Sequence, residues 1–395
     1  MKVTVVCDIY GKENNGTAVV TYNLIRFLKE QGHDVRILCA DQASKGKPDH
    51  FVVPNMTFGK ALDAYVAKVG VSIAKPQKRI IKAALMDVDA VHIMCSMPLG
   101  LATIRLAKKM GLPVTAGFHM QAENITSYFH LNKSRLANKA TNHFMWNHFY
   151  RYVDCIHYPT KFIRDTFEGA IGKTTPGYVI SNGVHAYVKP RATEKPEELK
   201  DKFVILTTGR YSTEKSQDTL IKAVAHSKYK DKIQLILGGE GAKEEQYRKL
   251  AAELPNEPIF KFYSRTEIID VLNYADMYVH PAIIELEGIS CIEAIACGKM
   301  TIVSDSKLSA THNFAVDNKC IFKALDEHDL AHTIDYWLDR PEEMRKCGEK
   351  YLRSATNFDQ YKCMLKMESM IFDAMAIVGH KPVEIEPQLH YVAIR

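Results

Sequence analysis

No apolar stretch in the sequence approaches the roughly 18–20 residues that a membrane-spanning helix requires. No charged leader, long apolar run and small-residue cleavage site precede the first ordered-looking segment, Lys2 to Cys7, so a secretory signal is not expected. The nine cysteines are odd in number, scattered, and include no C-x-x-C pair. That disfavours a disulfide framework and a structural zinc site, and fits reduced thiols in a cytoplasmic protein. The G-x-G-x-x-G dinucleotide fingerprint is missing after the first strand, which disfavours a nicotinamide-dependent oxidoreductase. No nucleic-acid-binding module is recognisable, and a formal charge of +6 is mild for this length. There is no repeat of fixed 20–50-residue period and no low-complexity tract.

What is present is an alternating chain of 395 residues, 46% hydrophobic and 25% charged, long enough for two domains. Val3 to Cys7 reads as a buried parallel strand. Thr17 to Glu30 follows with Val20, Leu24, Ile25 and Leu28 on one helical face, and Val35 to Cys39 is the next strand. The βαβ pattern continues through Ala90–Ile93, Leu99–Lys109, Pro113–Gly117, Asp154–Tyr158 and Tyr178–Ser181. A second series starts at Phe203–Thr208 and runs through Ser216–His226, Ile233–Leu237, Glu244–Leu254, Phe260–Tyr263, Met277–His280 and Met300–Ser304. Strands alternating with helices imply doubly wound parallel sheets. The expected organisation is an N-terminal Rossmann-like domain over 1–187, a second over 188–358, and a C-terminal helix and tail over 359–395 that packs back on the first. The charged segment Lys189 to Lys202, with Pro190 and Pro196, is the linker candidate.

Ligands of doubly wound folds sit beyond the carboxyl ends of the strands, and four features fall there. In Asn14-Asn15-Gly16-Thr17, Gly16 lets backbone approach a ligand where a helix N-terminus favours an anion, although a plain Asx turn has the same look. Gly209-Arg210 follows a strand, with Lys215 five residues beyond Arg210. Two cations there suit a diphosphate, while solvated surface charges are the plain alternative. In Pro281–Gly298, Glu285 and Glu293 flank Gly288 and Ile289, with Glu293 expected in the first turn of a helix. Carboxylates accept from vicinal sugar hydroxyls and backbone N–H groups face phosphate. Glu293 would otherwise only complement the helix dipole. The fourth is His119 with Gln121, Glu123 and Asn124 after Pro113–Gly117, where a lone histidine is more often structural. Asp87-Val88-Asp89 matches a metal-binding pattern but precedes its strand. It is read as a solvated turn, and no metal is expected.

Together these motifs resemble the family-4 glycosyltransferases, whose architecture is GT-B: two facing Rossmann-like doubly wound parallel-sheet domains. The resemblance covers most of the chain and is strongest from Gly209 to Ser304. It rests on Gly209-Arg210 with Glu214-Lys215, Gly239-Glu240-Gly241, Tyr274-Ala275-Asp276 before His280-Pro281, the Glu-x7-Glu stretch Glu285 to Glu293, and Ser181-Asn182-Gly183-Val184. It implies that Arg210 and Lys215 hold the donor diphosphate and that Glu293 binds ribose hydroxyls. Glu285 would bind the donor sugar, with Gly239, Gly288 and Ile289 lining the donor. Gly16 would allow a loop to close on the phosphates, and His119 would lie near the reacting centre. The implied chemistry retains the anomeric configuration, needs no metal, and uses a nucleoside-diphosphate sugar, UDP-linked, as co-substrate in place of a cofactor. Two departures from the family pattern are Asn15, where a glycine is usual, and Glu287, where the family has an apolar or small residue. Glu287 is expected beside the donor, where it would alter sugar choice or disfavour an anionic sugar.

The acceptor is less legible. Gly59–Leu85 and Tyr128–Tyr152 interleave basic with apolar and aromatic residues, a pattern suited to an anionic membrane surface, though most such helices only bury one face. Together with the lipid-glycosylating members that the Phe118–Asn124 stretch resembles, this favours a hexosyl transfer to a membrane lipid such as diacylglycerol, or to a lipid-linked envelope precursor, at the inner face of the cell membrane. Other readings are a soluble sugar or metabolite acceptor, a nucleotide-sugar epimerase, or a catalytically silent scaffold.

Overall fold

The computed structural model describes residues 1–11, 16–57, 59, 73–127 and 131–380. Two compact units emerge, one of residues 1–180 and 364–395, the other of residues 181–363.

The first unit is built on a seven-stranded parallel sheet, ordered β3-β2-β1-β4-β5-β6-β7. The strands are β1 Lys2–Cys7, β2 Asp34–Cys39, β3 His50–Val52, β4 Ala90–Ile93, β5 Val114–Gly117, β6 Cys155–Tyr158 and β7 Gly177–Val179. The helices of this part are α1 Gly16–Glu30, α2 Lys78–Ala84, α3 Pro98–Lys109, α4 Ala122–Ser127, α5 Arg135–His148 and α6 Lys161–Ile171. The central strands are apolar because both faces are covered: Val3, Val5, Val6, Val91, Val114 and Ala116 are all fully buried. Helix α1 buries Val20, Leu24, Ile25 and Leu28, the stripe its periodicity predicts.

Several details differ from the sequence reading, among them the last strand, which runs Gly177–Val179 rather than Tyr178–Ser181. Strand β3 was not expected; at three residues its periodicity is too short to register. The Asp87–Asp89 turn is not simply solvated. Asp87 has a left-handed φ of 54°, but Asp89 is buried, accepts the Lys2 N–H at 2.6 Å and lies 3.5 Å from His380. Its carboxylate ties the entry of β1 rather than facing water.

The second unit carries a six-stranded parallel sheet, ordered β10-β9-β8-β11-β13-β15. Its strands are β8 Phe203–Thr208, β9 Ile233–Gly238, β10 Ile259–Lys261, β11 Met277–His280, β13 Thr301–Ser304 and β15 Ile321–Phe322. A separate two-residue pair joins β12 (Ile284–Glu285) to β14 (Leu308–Ser309). The helices are α7 Gln217–His226, α8 Glu244–Ala251, α9 Arg265–Tyr274, α10 Ile289–Ala296, α11 Glu327–Leu338, α12 Pro341–Ser354 and α13 Gln360–Val378, the last passing back into the first unit. Helix α9 opens with a capping box between Ser264 and Glu267, which satisfies N–H groups the first turn leaves open. Because every strand runs the same way, the ends of β8, β9 and β11 bring Gly209, Gly239 and Pro281 to one edge of this sheet.

Candidate active site

The edge of the second sheet is built by backbone packed on backbone. The turn after β8 donates Gly209 N–H to Gly238 O at 3.0 Å and Tyr211 N–H to Glu240 O at 2.9 Å. A Cβ on Gly239 would stand 2.1 Å from Gly209 O, so only glycine lets the two turns lie this close. Gly239 thus has a packing reason to be glycine as well as the donor role implied by its motif.

The carboxylate of Glu285, in β12, receives Lys215 Nζ in a short ion pair and lies 3.2 Å from His280 Nε2 at the end of β11. Burial pushes the Glu285 carboxyl up, but the Lys215 charge and the His280 hydrogen bond outweigh it and hold it down at about 2. Burial in turn lowers His280, against the pull of Glu285, so the imidazole favours its neutral form. The chain between Lys215 and Glu285 is pinned by Ile283 N–H donating to Glu214 O at 2.8 Å. Arg210 lies nearby in sequence, half-exposed, bonded at 2.8 Å to Glu214, whose carboxyl is pushed up by burial and pulled lower still by Arg210.

Gly288 caps α10 with a left-handed φ of 86°, and a Cβ there would stand 2.6 Å from Thr311 Cγ2. Ile289 is the first residue of that helix. Its N-terminal N–H groups have no partners within the helix itself. Glu293 is the fifth helical residue, just past the first turn in which it was expected, and is paired with Arg265 Nη1 at 2.9 Å. Burial raises the Glu293 carboxyl, and Arg265 opposes the rise. Tyr278 Oη, 3.2 Å from Ser290 Oγ, and Ser290 Oγ, 3.3 Å from Thr208 O, fasten the start of α10 to the sheet.

The structure therefore brings Lys215 and Glu285 into contact, adds His280, which the sequence named only as part of a motif and gave no role, and Arg265, which it did not name, and places Gly288, Ile289 and Glu293 on the adjoining helix. The role of His280 was not legible because nothing local shows that its ring meets Glu285, and Arg265 was missed because its partner is 28 residues away. Glu287, expected beside the donor, is engaged by another segment of the same unit. Its side chain is 3% exposed and turned inward, where Ser181 and Asn182 donate to it.

In the first unit, His119 follows β5. A Cβ at Gly117 would lie 2.4 Å from its Nε2, so the bare Gly117 leaves room for the ring. His119 lies edge-on to His157 at 5.4 Å, and burial, with His157 and His92 adding, lowers it well below the usual imidazole range. His157 is lowered to about 4 by burial, and His92 to about 3 by burial and by His157. Three neutral imidazoles thus line the ends of β4, β5 and β6. Gly16 begins α1 and is exposed; Asn14 and Asn15 lie outside the described residues.

On a surface of the same unit, α5 and its flanks expose Leu131, Leu136 (80%), Phe144 (63%) and Tyr152 beside the exposed Lys133, Arg135, Lys139 and Arg151. Phe149 instead enters the core. In the other basic stretch Lys75, Lys78, Arg79 and Lys82 are exposed, while residues 60–72 lie outside the described residues. Among the described residues no helix is long and apolar enough to cross a membrane. A three-donor group of His226, Glu327 and His328 lies at the end of α7 and the start of α11, on different elements from Lys215 and Glu285.

Comparison with known proteins accords with this geometry. Residues 14–186 match the family described as Glycosyltransferase Family 4, and residues 188–352 the one described as Glycosyl transferases group 1. The chain is 25% identical to an alpha-monoglucosyldiacylglycerol synthase of Streptococcus pneumoniae, over 91% of this chain and 83% of that protein. It is 23% identical to a phosphatidyl-myo-inositol mannosyltransferase of Propionibacterium freudenreichii, over 86% of this chain and 89% of the relative. Among solved structures, Anabaena Alr3699/HepE in complex with UDP and glucose superposes with a TM-score of 0.73 at 16% identity, covering 94% of this chain and 100% of that one. The sheets, their order and these matches agree: the chain belongs to the family-4 glycosyltransferases and has the GT-B fold.

Proposed function

We propose that the protein transfers a hexose from a UDP-linked sugar, with retention of configuration, to a membrane lipid such as diacylglycerol or a lipid-linked envelope precursor. The observation that carries the donor half is the partly buried Lys215–Glu285–His280 cluster beside the N-terminus of α10, with Glu293 one turn along. Lys215, Arg210 and the N–H groups of Gly288 and Ile289 supply fixed positive potential where a diphosphate gains charge as it leaves. Glu285, held as a carboxylate, accepts from sugar hydroxyls, and Glu293 from ribose hydroxyls.

The acceptor hydroxyl attacks C1 on the face from which the diphosphate departs. The C1–O bond to phosphate breaks as the new C1–O bond forms, and the hydroxyl proton passes to the leaving phosphate oxygen. The cations do by electrostatics what a metal does in other sugar transfers, so the reaction is read as metal-independent. The family motif assigns His119, which burial keeps neutral, one hydrogen bond to the donor sugar.

Two observations support a lipid acceptor. Relatives over most of the chain are a diacylglycerol glycolipid synthase and a phosphatidylinositol mannosyltransferase by name. The outward side of α5 sets Leu136 and Phe144 among basic residues, a composition that binds anionic bilayers from the cytoplasmic side. The test is a partition assay with radiolabelled UDP-glucose, UDP-galactose or UDP-N-acetylglucosamine and a membrane lipid extract. Label in the organic phase, lost in Glu293→Ala, supports the reading. Label that stays in water, with UDP released only when soluble sugars are added, replaces the lipid by a soluble acceptor.

A further inference from the structure

Glu287 stands between Glu285 and Gly288 and is the most deeply buried carboxylate of that loop, 3% exposed. It makes no ion pair among the described residues. Its Oε1 accepts from Ser181 Oγ at 2.5 Å and from Asn182 N–H at 3.1 Å; its Oε2 accepts from Asn182 Nδ2 at 2.5 Å and more weakly from Asn182 N–H at 3.3 Å. Ser181 and Asn182 are the first residues of the second unit, directly after Ile180. The next residues are tied on their other side: Val184 N–H donates to Phe358 O at 2.7 Å, and Gln360 N–H to Val184 O at 3.1 Å. Asn182 Oδ1 is buried without a partner among the described residues, so the amide is oriented for its Nδ2 bond to Glu287.

An apolar residue would fill this space without the desolvation that a buried carboxylate suffers. A carboxylate with three donors does something an apolar side chain cannot: it fixes the loop's position relative to a second segment by directional bonds. We infer that Glu287 is a positioning residue that locks the Glu285–Gly288 loop to Ser181 and Asn182 and thereby sets donor affinity. This rests on the donor site proposed above. Glu285 and Gly288 flank Glu287, so loosening its grip displaces both the carboxylate assigned to the sugar and the cap of α10.

The grip depends on ionisation. Burial pushes the Glu287 carboxyl up to about 7, against the Ser181 and Asn182 hydrogen bonds, and the Glu285 charge adds to the rise. Glu285 is answered by Lys215 and by His280 from β11, while Ser181 and Asn182 bring only neutral donors. Protonation puts a hydrogen where an oxygen had accepted one, so the lock weakens as pH falls below about 7.

The test compares the full chain with Glu287→Gln and Asn182→Ala. The second keeps the carboxylate and removes a donor, and serves if Glu287→Gln folds poorly. Hydrogen exchange of residues 284–290 without ligand is expected to be at least threefold faster in both variants; unchanged exchange in both overturns the inference. Titration with UDP-glucose, which does not ionise in this range, is expected to show about tenfold weaker binding at pH 7.5. In turnover the donor KM is expected to rise by a similar factor, with kcat within about threefold. Wild-type affinity is expected to fall from pH 8 to pH 6, and the Glu287→Gln affinity to stay level; parallel profiles overturn the inference. Faster exchange in the variants with no UDP-glucose binding by the wild type overturns the donor reading while the lock between loop and segment stands.

Discussion

Replacing Lys215 by methionine keeps most of the side-chain length and removes the charge that holds Glu285 ionised. The Glu285 carboxyl sits at about 2 instead of 4.5. At roughly 1.4 kcal/mol per pKa unit this is about 3 kcal/mol of stability at neutral pH. Without Lys215 that gain disappears and the burial cost remains, and losing one partner of a buried pair typically costs about 3–5 kcal/mol. Lys215 and Glu285 retain 21% and 14% exposure, so solvent screens part of the effect and the lower end, about 3 kcal/mol, is the expected loss. For a unit of this size (residues 181–363) that lowers the calorimetric transition by about 6–12 °C. The sign with pH follows from the depressed carboxyl: in the wild type this stability is present above about pH 4.5 and is lost as pH falls towards 2. Lys215→Met is expected to lack that acid-side loss. Glu285→Gln in the same chain removes the uncompensated charge, so the double variant is expected to be more stable than the sum of the single losses by at least about 1 kcal/mol. Calorimetry from pH 3 to pH 8 reads both. Additive losses, or a Lys215→Met transition within 2 °C of wild type, would refute the reasoning.

Gly288→Ala forces a side chain into a left-handed backbone and against Thr311. It is expected to cost about 1–3 kcal/mol and to weaken donor binding, with partial recovery in Gly288→Ala/Thr311→Ser; denaturant melts and UDP-glucose titration check this. Burial raises Asp8 to about 7 against the N–H groups of Leu99 and Gly100. The folded state therefore holds that proton more tightly, and the wild type loses about 3–4 kcal/mol from this group as pH rises from about 4 to about 7. Neutral His92, His119, His157 and His280 act in the opposite direction in any variant that retains them. The difference between Asp8→Asn and wild type in urea melts is thus expected to grow in favour of the variant across that window, and parallel curves would remove Asp8 from the account. Leu136→Asp with Phe144→Asp is expected to reduce co-sedimentation with anionic phospholipid vesicles at least tenfold while sparing turnover of detergent-dispersed lipid; unchanged sedimentation would return α5 to ordinary surface.

Much of the fold was legible because parallel strands buried on both faces leave apolar runs. Met277–His280 and Phe203–Thr208 could be bounded to the residue. Helices with a full apolar stripe, such as α1, were equally plain. The short pieces were not: β3, β15 and the β12–β14 pair are two or three residues each, held by partners rather than by their own pattern. The candidate donor-site residues were legible as strand-end motifs, and Gly288 and Gly239 must be glycine for reasons of backbone geometry.

The sequence by itself determined the two doubly wound sheets, the order of the motifs and the family, because periodicity and strand-end chemistry are local. Only the tertiary structure decided which side chains meet. It paired Lys215 with Glu285 across 70 residues, Arg265 with Glu293, and Glu287 with Ser181 and Asn182. It also buried Asp89, which the sequence reading left in water. A carboxylate's role depends on what lies within 3 Å of it and on how much water is left, and neither quantity is written in its neighbours along the chain.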